Sequence, residues 1–305
     1  MYFKGEILKY AIGIDIGGTN TRVALINENY EIKERIQFST DANDPDKTMD
    51  KIAETIQSFE TDIVGVGMSC PGPLDLINGK IIQTPNLHGK WTGFSVSKEL
   101  EKRVQIPVYL ENDANLAALA ESVIGEGKDY DYVQYLTVST GLGAGLVMHK
   151  KIFTGAHGFA NEVANSCMKH EGPSHGMIYP GGIEAISSGT AIVERAKKKG
   201  LNVAHAGEVN DLALNGNVDA KEIMQEAKIY LANFIANIQA YIDPEIFILG
   251  GSVALKIDGF VEEVEELVKM RVFDVVKPYV KVRKSTLNED SGLLGAACLA
   301  FLTLS

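Results

Sequence analysis

The stretch that decides the fold is YAIGIDIGGTNTRVALI, residues 10–26. Two apolar, β-rich runs flank the turn Gly17-Gly18-Thr19, which is the pattern of two strands joined as a hairpin. Outward from this hairpin, apolar spacing predicts a third strand over residues 32–38, a helix over residues 46–59 and a buried strand over residues 63–68. This order of strands and helix predicts an α/β unit.

The second half of the chain contains a fainter copy of this unit. A β-rich run over residues 132–138 is followed by a glycine turn at residues 140–145 and a resumed strand at residues 146–148. Aligning the two glycine turns places Asp15-Ile-Gly-Gly18 on Ser139-Thr-Gly-Leu142, an offset of 139 − 15 = 124 residues. A long helix over residues 219–242 then precedes a strand ending in Gly250 and Gly251. These features predict a duplicated α/β domain with a cleft between its copies.

Composition excludes several classes of protein. The chain of 305 residues has 29 Lys and Arg against 40 Asp and Glu, a net charge of −11. Such acidity argues against a nucleic-acid binder, which needs a clustered basic face. Three cysteines are too few for a disulfide framework, and the sequence has neither the ~20 apolar residues of a membrane span nor a signal peptide. We therefore expect a soluble, cytoplasmic protein without a nucleic-acid or membrane partner.

The Gly17-Gly18-Thr19 turn has the composition of a phosphate-binding loop. Glycines let backbone N–H groups approach an oxyanion, and the threonine adds a hydroxyl donor. Asp15 supplies a carboxylate that suits hydrated Mg²⁺. The alternative is an ordinary tight hairpin with Asp15 capping the turn. The second glycine turn favours phosphate binding, because two such turns can face one nucleotide.

Other nucleotide-binding motifs are absent from the sequence. No Gly-x-x-x-x-Gly-Lys-Ser/Thr segment occurs, which excludes a P-loop. Gly65-Val-Gly67 lacks the third glycine of a dinucleotide fingerprint, and a proline follows where a helix should begin. This glycine pair is typical of close strand packing instead.

The segment Glu111-Asn-Asp-Ala-Asn115 lies between a predicted strand and a predicted helix. A carboxylate at such a junction is held rigidly, and Asp113 could accept the proton of a sugar hydroxyl that attacks a phosphoryl group. The alternative is helix capping by Asn112 or Asp113, which their residue types favour.

A third polar cluster comprises residues 155–162, which end in Glu162, and Glu184 further along the chain. Carboxylates and amides in such loops suit polyhydroxylated ligands, and a solvated loop is the alternative. A zinc site is not expected, because the spacings of the nearby cysteine and histidines match no compact Cys/His site. Those residues are Cys167, His157, His170 and His175.

Six motifs occur in order along the chain. They are DIGGTNT (15–21), CPGPLD (70–75), TPNL (84–87), ENDAN (111–115), STGLGAG (139–145) and GAHG (155–158). Together they resemble the ROK family of sugar kinases and repressors, from about residue 12 to residue 297. The resemblance implies the two-domain, actin-like ATPase (hexokinase/ribonuclease H-like) α/β fold with a central nucleotide and sugar cleft. Its N-terminal domain would comprise residues 1–118 plus 290–305, and its C-terminal domain residues 119–289.

The resemblance also implies roles for individual residues. Asp113 would be the catalytic base, and Asp15 would lie near Mg²⁺, which it would contact through water. The sugar hydroxyls would be held by Asn86, Asn112, Glu162 and Glu184. The ATP phosphates would be held by Gly17, Gly18, Thr19, Thr140 and Gly141, and the adenosine would be bordered by Gly250 and Gly251.

One departure from the family pattern concerns a structural zinc ion. Many members bind zinc through a histidine and a Cys-x-Cys-Gly-x-x-Gly-Cys segment. An ungapped alignment places Asn165, His175, Met177 and Gly182 at the four ligand positions. An amide, one imidazole, a thioether and a glycine do not make a zinc site, so we expect none. The histidine also touches the sugar in zinc-bearing relatives, so Asn165 would leave room for a substituted or different sugar.

The resulting hypothesis is ATP-dependent, glucokinase-like phosphorylation of a hexose on its 6-hydroxyl. N-acetylmannosamine, fructose and β-glucosides remain open as substrates. A repressor is disfavoured, because about ten residues precede the first strand and leave no room for a helix-turn-helix domain. A sugar-binding pseudoenzyme is the third alternative, although no residue argues for it. A homodimer is common in the family, and the sequence leaves the oligomeric state open.

Overall fold

The computed structural model of the chain describes residues 8–82, 84, 86–287 and 290–304. These residues divide into two compact units. The first comprises Met1–Ile124, Thr154–Gly158 and Glu289–Ser305, and the second comprises Gly125–Phe153 and Phe159–Asn288. The domain boundary expected between residues 118 and 119 falls inside a helix that continues to Val123. The chain leaves the first unit only after that helix has ended.

Both units combine strands with helices. The strands are β1 (Tyr10–Ile16), β2 (Asn20–Asn27), β3 (Ile32–Ser39), β4 (Ile63–Cys70), β5 (Leu74–Asp75), β6 (Lys80–Ile81), β7 (Val108–Asn112), β8 (Tyr132–Val138), β9 (Leu142–Met148), β10 (Lys151–Ile152), β11 (Ile246–Gly250) and β12 (Val282–Lys284). The α-helices are α1 (Pro45–Ser58), α2 (Val96–Val104), α3 (Asp113–Val123), α4 (Ile183–Ser187), α5 (Gly189–Lys198), α6 (Ala206–Leu214), α7 (Val218–Tyr241), α8 (Gly251–Lys256), α9 (Phe260–Lys269) and α10 (Ser291–Leu304).

The first unit is built on a five-stranded sheet in the order β3-β2-β1-β4-β7. Strand β2 is antiparallel to β1 and to β3, whereas β4 is parallel to both β1 and β7. The central strands β1 and β4 are buried along most of their length, while only alternate residues of the edge strand β3 are partly covered. This difference is expected, since strands covered on both faces need continuous apolar runs.

The second unit repeats this topology in a sheet of order β10-β9-β8-β11-β12. Strand β9 is antiparallel to β8 and to β10, and β11 is parallel to both β8 and β12. Helices α4 to α7 lie in sequence between β10 and β11. In the described part of the chain, no helix is both long and apolar enough to cross a membrane.

The two hairpins correspond with a different offset from the predicted one. Strands β1 and β8 begin at residues 10 and 132, and strands β2 and β9 begin at residues 20 and 142. Both pairs give an offset of 122, so the predicted offset of 124 is wrong. A slip of two residues keeps every side chain on the same face of a strand, so the apolar pattern does not reveal it. In the corrected alignment Gly18 corresponds to Thr140.

Helix α10 packs on the sheet of the first unit through glycines. A Cβ atom at Gly67 of β4 would overlap the carbonyl oxygen of Ala296, and one at Gly13 of β1 would overlap that of Leu293. Gly295 of α10 in turn lies against the backbone of Leu116 in α3. The helix backbone therefore touches the sheet directly, which explains the glycine in β4 as a packing residue.

We expect Gly67→Ala to destabilise the first unit by about 2–3 kcal/mol, because the added methyl group must displace helix backbone. The matched control is Gly65→Ala on the same strand. There the nearest atom to the new Cβ would be Cδ1 of Leu304, at 2.9 Å, on a side chain that can rotate away. Its cost should stay within about 0.5 kcal/mol. Urea unfolding of the two variants measures the difference, and equal losses would contradict this packing.

Candidate active site

The β1–β2 turn is closed by backbone hydrogen bonds. The N–H of Gly17 donates to the carbonyl oxygen of Asn20 at 2.9 Å. The hydroxyl of Thr40 donates to the carbonyl oxygen of Gly17 at 2.7 Å. Thr19, at the tip of the turn, is exposed. The turn thus keeps a fixed backbone shape while its tip stays open to solvent.

Gly18 of this turn lies against Asn86. A Cβ atom at position 18 would lie 2.5 Å from the Cβ of Asn86 and 2.9 Å from its carbonyl oxygen. Only glycine fits without moving the segment that carries Asn86. The structure therefore brings together two residues for which the resemblance implies different ligands: Gly18 for an ATP phosphate and Asn86 for a sugar hydroxyl.

Asp15, near the end of β1, is paired with Arg22 directly opposite on β2. Both Nε and Nη2 of Arg22 donate to Oδ2 of Asp15, at 3.1 Å and 2.5 Å. Gly292 of α10 lies near the same carboxylate, since a Cβ there would be 3.7 Å from Oδ1. Arg22 was not predicted as a site residue, although its place opposite Asp15 follows from the register of the hairpin.

Asp113 is the first residue of α3. The side chain of Asn112 is the helix cap, because its Oδ1 accepts from the N–H of Ala114 at 2.9 Å. Oδ1 of Asp113 accepts from the same N–H at 2.8 Å. The side chain of Asp113 is thereby held in one orientation at the junction of β7 and α3.

The pKa of the Asp113 carboxyl is raised above its ordinary value. The largest cause is desolvation by the surrounding protein, and the negative charge of Asp15 adds to it. The residue as a whole is nevertheless exposed, so protein atoms crowd around the carboxyl while part of the residue faces solvent. A carboxylate with a raised pKa has an increased affinity for a proton, as general-base catalysis requires.

Glu111 supports this junction from inside the protein. Its buried carboxylate accepts from the backbone N–H of Asn112 at 2.8 Å and from Nδ2 of Asn115 at 3.0 Å. Desolvation raises the pKa of Glu111 as well. The ENDAN motif contains both Glu111 and Asn115, but the sequence alone did not predict the hydrogen bond between their side chains. That hydrogen bond forms because the first turn of α3 places Asn115 beside Glu111.

In the second unit the β8–β9 turn is joined to Glu184. Oε2 of Glu184 accepts from the N–H of Leu142 at 2.8 Å. A Cβ atom at Gly141 would also lie 2.8 Å from this oxygen, so glycine is needed for the carboxylate to approach. The carbonyl oxygen of Thr140 accepts from the N–H of Thr190 at 3.3 Å. The β8–β9 turn therefore contacts both Glu184 and the first turn of α5.

Gly250 and Gly251 lie where β11 ends and α8 begins. A Cβ at Gly250 would overlap the hydroxyl of Tyr135, and Gly251 has a φ of +83°. A Cβ there would lie 2.5 Å from the carbonyl oxygen of Val138, at the end of β8. The two glycines are thus placed close to the end of β8.

Glu162 and Asn165 are exposed and precede a long loop that ends at Glu184. The amide of Asn165 contacts the far arm of this loop, because its Oδ1 accepts from the N–H of Tyr179 at 2.7 Å. His175, in the same loop, places Nε2 at 3.6 Å from Oε1 of Glu184. The neighbourhood of His175 and Glu184 was not predicted.

This loop lacks the set of zinc-binding side chains that many members of the ROK family carry. Within residues 8–82, 84, 86–287 and 290–304, no group of three or more His, Cys, Asp or Glu side chains could hold a metal ion. Of the residues that the ungapped alignment assigns to the ligand positions, which are Asn165, His175, Met177 and Gly182, only His175 carries a side chain that zinc commonly binds. A Cβ at Gly182 would lie 2.8 Å from Cγ2 of Ile178, so the space of a cysteine ligand is already filled.

The chain is similar over almost its whole length to known sugar kinases. It is 32% identical to the glucokinase of Thermotoga maritima, covering 94% of this chain and 96% of the relative. It is 31% identical to the N-acetylmannosamine kinase of Escherichia coli, covering 95% and 97%. The crystal structure of a ROK hexokinase from Thermus thermophilus superimposes with a TM-score of 0.89 at 29% identity, covering 97% and 99%.

A further solved structure is that of a ROK family glucokinase from Streptomyces griseus in complex with glucose and AMPPNP, with a TM-score of 0.76 and 26% identity over 96% of this chain and 99% of that one. Residues 11–302 match the sequence pattern of the ROK family. The chain therefore belongs to the ROK family. The likeness to these kinases confirms the predicted α/β fold of the actin-like ATPase class.

We expect Asp113→Asn to stabilise the fold at pH 7. The folded protein raises the pKa of this carboxyl above 3.8, and it therefore disfavours the charge that the unfolded chain carries at neutral pH. Asparagine carries no charge and keeps an oxygen for the N–H of Ala114. Urea unfolding at pH 7 should give a higher free energy of unfolding for the variant, with the gain shrinking as the pH falls towards 3.8.

The control for this measurement is Asp41→Asn, for which the opposite sign is expected. The backbone N–H groups of Asn43 and Asp44 lower the pKa of Asp41. Its ionised form therefore stabilises the fold at pH 7, and losing the charge should lower the free energy of unfolding. A loss of stability in Asp113→Asn at pH 7 would show that the carboxyl is not held in a desolvated position.

Proposed function

We propose that this sugar kinase transfers the γ-phosphoryl group of ATP to the 6-hydroxyl of a hexose or hexose derivative. Membership of the ROK family and the similarity to two kinds of sugar kinase support phosphorylation of a sugar. The observation that carries the proposal is the carboxyl of Asp113, held at the start of α3 with a raised pKa and close enough to Asp15 to feel its charge.

Asp113 is assigned as the general base. Its orientation is fixed by the N–H of Ala114, and its raised pKa favours acceptance of the hydroxyl proton as the sugar oxygen attacks phosphorus in line. The capping role of Asn112 is compatible with this assignment, because the cap holds the first turn of the helix that carries the base. The chain has no P-loop lysine, so backbone N–H groups must supply much of the stabilisation of the phosphoryl charge.

The nucleotide is assigned to the glycine turns. Gly17, Gly18 and Thr19 in the first unit, and Thr140 and Gly141 in the second, would hold phosphate oxygens, and Gly250 and Gly251 would border the adenosine. Asp15 fits Mg²⁺, which kinases bind through one or two carboxylates, water and the substrate phosphates. When bound, Mg²⁺ spreads the negative charge of the phosphates. Arg22 pairs with the same carboxylate and orients it.

The sugar is assigned to side chains that can accept hydrogen bonds from hydroxyl groups. These are Asn86, Asn112, Glu162 and Glu184. Asn165 is assigned to the same sugar site, although its amide oxygen already accepts from the N–H of Tyr179. Oε2 of Glu184 is held by the Leu142 N–H, so its other oxygen, Oε1, is the natural acceptor. Identities of 32% to a glucokinase and 31% to an N-acetylmannosamine kinase do not separate these two sugars.

We also propose that the two compact units are the two domains of the kinase, with the division after Ile124 replacing the boundary at residue 118. Helix α10 belongs to the first of these units, which supports including residues 290–305 in the N-terminal domain. A cytoplasmic location and a homodimeric assembly stay predictions.

The assignment of the base predicts that Asp113→Asn lowers kcat by about 10²–10⁴-fold, the usual contribution of general-base catalysis. The Kd of the sugar, measured by calorimetry, should change by less than about threefold, because the side chain keeps its size. Asp62→Asn, an exposed acid of the same unit, should leave both values unchanged. Near-normal ADP production by Asp113→Asn would refute the role of this residue.

The assignment of the acceptor predicts the outcome of an ADP-release assay with glucose, N-acetylmannosamine, fructose and a β-glucoside. At least one of these sugars should support turnover, and its 6-deoxy analogue should not, because the attacking oxygen is missing. The analogue should still compete with the sugar for binding. Equal ADP release with the analogue would place the transfer on another hydroxyl, and turnover with none of the sugars would contradict the hexose kinase proposal.

A further inference from the structure

The loop between Asn165 and Glu184 is closed by hydrogen bonds between its two arms. The N–H of Met168 donates to the carbonyl oxygen of Gly181 at 2.8 Å, and the N–H of Ile183 donates to that of Ser166 at 2.9 Å. The N–H of Glu184 donates to the carbonyl oxygen of Ala164 at 3.2 Å. This short backbone ladder joins the arms near the residue that carries the carboxylate.

The side chain of Asn165 extends the ladder towards the tip of the loop. Oδ1 accepts from the N–H of Tyr179 at 2.7 Å, and Nδ2 reaches the carbonyl oxygen of Met177 at 3.5 Å. One planar amide thus contacts a donor and an acceptor on either side of Ile178. The stronger of the two contacts uses the amide oxygen.

Packing also fills the space in which a metal ligand would stand. A Cβ at Gly182 would lie 2.8 Å from Cγ2 of Ile178, 3.1 Å from the carbonyl oxygen of Ala164 and 3.2 Å from that of Tyr179. A larger residue at this position would push these arms apart. Gly182 therefore already packs against Ile178, Tyr179 and Ala164, and this packing leaves no space for a larger side chain at position 182.

The carboxylate of Glu184 has neighbours on two sides. On one side, the N–H of Leu142 holds Oε2. On the other side, the loop places Nε2 of His175 at 3.6 Å from Oε1. This nitrogen is buried, and it has no hydrogen-bond partner among the residues that the structure describes. If the loop opened, His175 would move and Glu184 would lose the neighbour of its Oε1 atom.

We propose that Asn165 is a positioning residue that closes the loop in place of a metal ion and so holds Glu184 in its sugar-binding orientation. Asn165 then acts on the sugar through the loop, and a direct contact with the sugar is not its main role. The inference rests on the proposed function in taking Glu184 as a sugar-binding residue. The closure of the loop by an amide does not depend on that function.

The first test is made on the natural protein without any substrate. Protein purified without added metal should contain less than about 0.1 zinc per chain by elemental analysis, as expected of a site without metal ligands. A zinc-selective chelator, with Mg²⁺ in excess, should leave the unfolding temperature and hydrogen exchange of residues 175–184 unchanged. Stoichiometric zinc, or a loop that opens on chelation, would overturn the proposal.

The second test compares Asn165→Ala with Asn165→Asp. Alanine removes the acceptor of the Tyr179 N–H, so exchange of residues 177–179 in the free protein should become about tenfold faster. The KM of the sugar should rise by about tenfold while the KM of ATP changes by less than about twofold. Aspartate keeps that acceptor and should restore both values to within about threefold. The control is His170→Ala, an exposed residue of the same loop, for which no change is expected.

The readouts separate this proposal from the proposed function. A higher KM of the sugar without faster exchange would make Asn165 a direct sugar contact and overturn the positioning role. Unchanged exchange and unchanged KM in Asn165→Ala would also overturn it. If the natural protein phosphorylates none of the sugars, the proposed function fails, whereas zinc content and exchange still decide how the loop is closed.

Discussion

Direct contact between the backbone of α10 and the glycines of β1 and β4 is the constraint on which the first unit depends. Gly13 and Gly67 have no side chains, so the carbonyl groups of Leu293 and Ala296 can lie directly against the sheet backbone. The same helix touches α3 through Gly295 and comes close to Asp15 through Gly292. The strand that carries Asp15 and the helix that carries Asp113 are therefore held by one packed element from the C-terminal end of the chain.

This packing brings carboxyl groups together at a cost to the fold. Desolvation and the charge of Asp15 both raise the pKa of Asp113, and desolvation raises the pKa of the buried Glu111 beside it. Neutral side chains at such places would be more favourable for stability. The role proposed for Asp113 as the general base accounts for a carboxyl at position 113, and the hydrogen bonds that Glu111 accepts from Asn112 and Asn115 account for the buried carboxyl at position 111.

The loop before Glu184 shows how one geometric requirement can be met by different chemistry. A metal ion joins distant residues with strong bonds, but it needs several ligands of suitable type. Here a backbone ladder, one amide and close packing around Gly182 join the two arms. Peptide and amide hydrogen bonds are individually weaker, so closure depends on several of them together. This arrangement links the identity of residue 165 to the placement of a carboxylate nineteen positions further on (184 − 165 = 19).

The sequence by itself determined the elements with strong periodicity and the residues of the glycine turns. The hairpin of β1 and β2, helix α1 and the long helix α7 are predicted within one or two residues, because local spacing of apolar residues sets their boundaries. Tertiary structure alone decided the offset of 122 between the hairpins, since a two-residue slip preserves the alternation of side chains. It also decided the pairing of Arg22 with Asp15, the approach of His175 to Glu184 and the use of the Asn165 amide within the loop. These contacts depend on strand register and loop closure, which bring together residues whose separation along the chain carries no periodic signal.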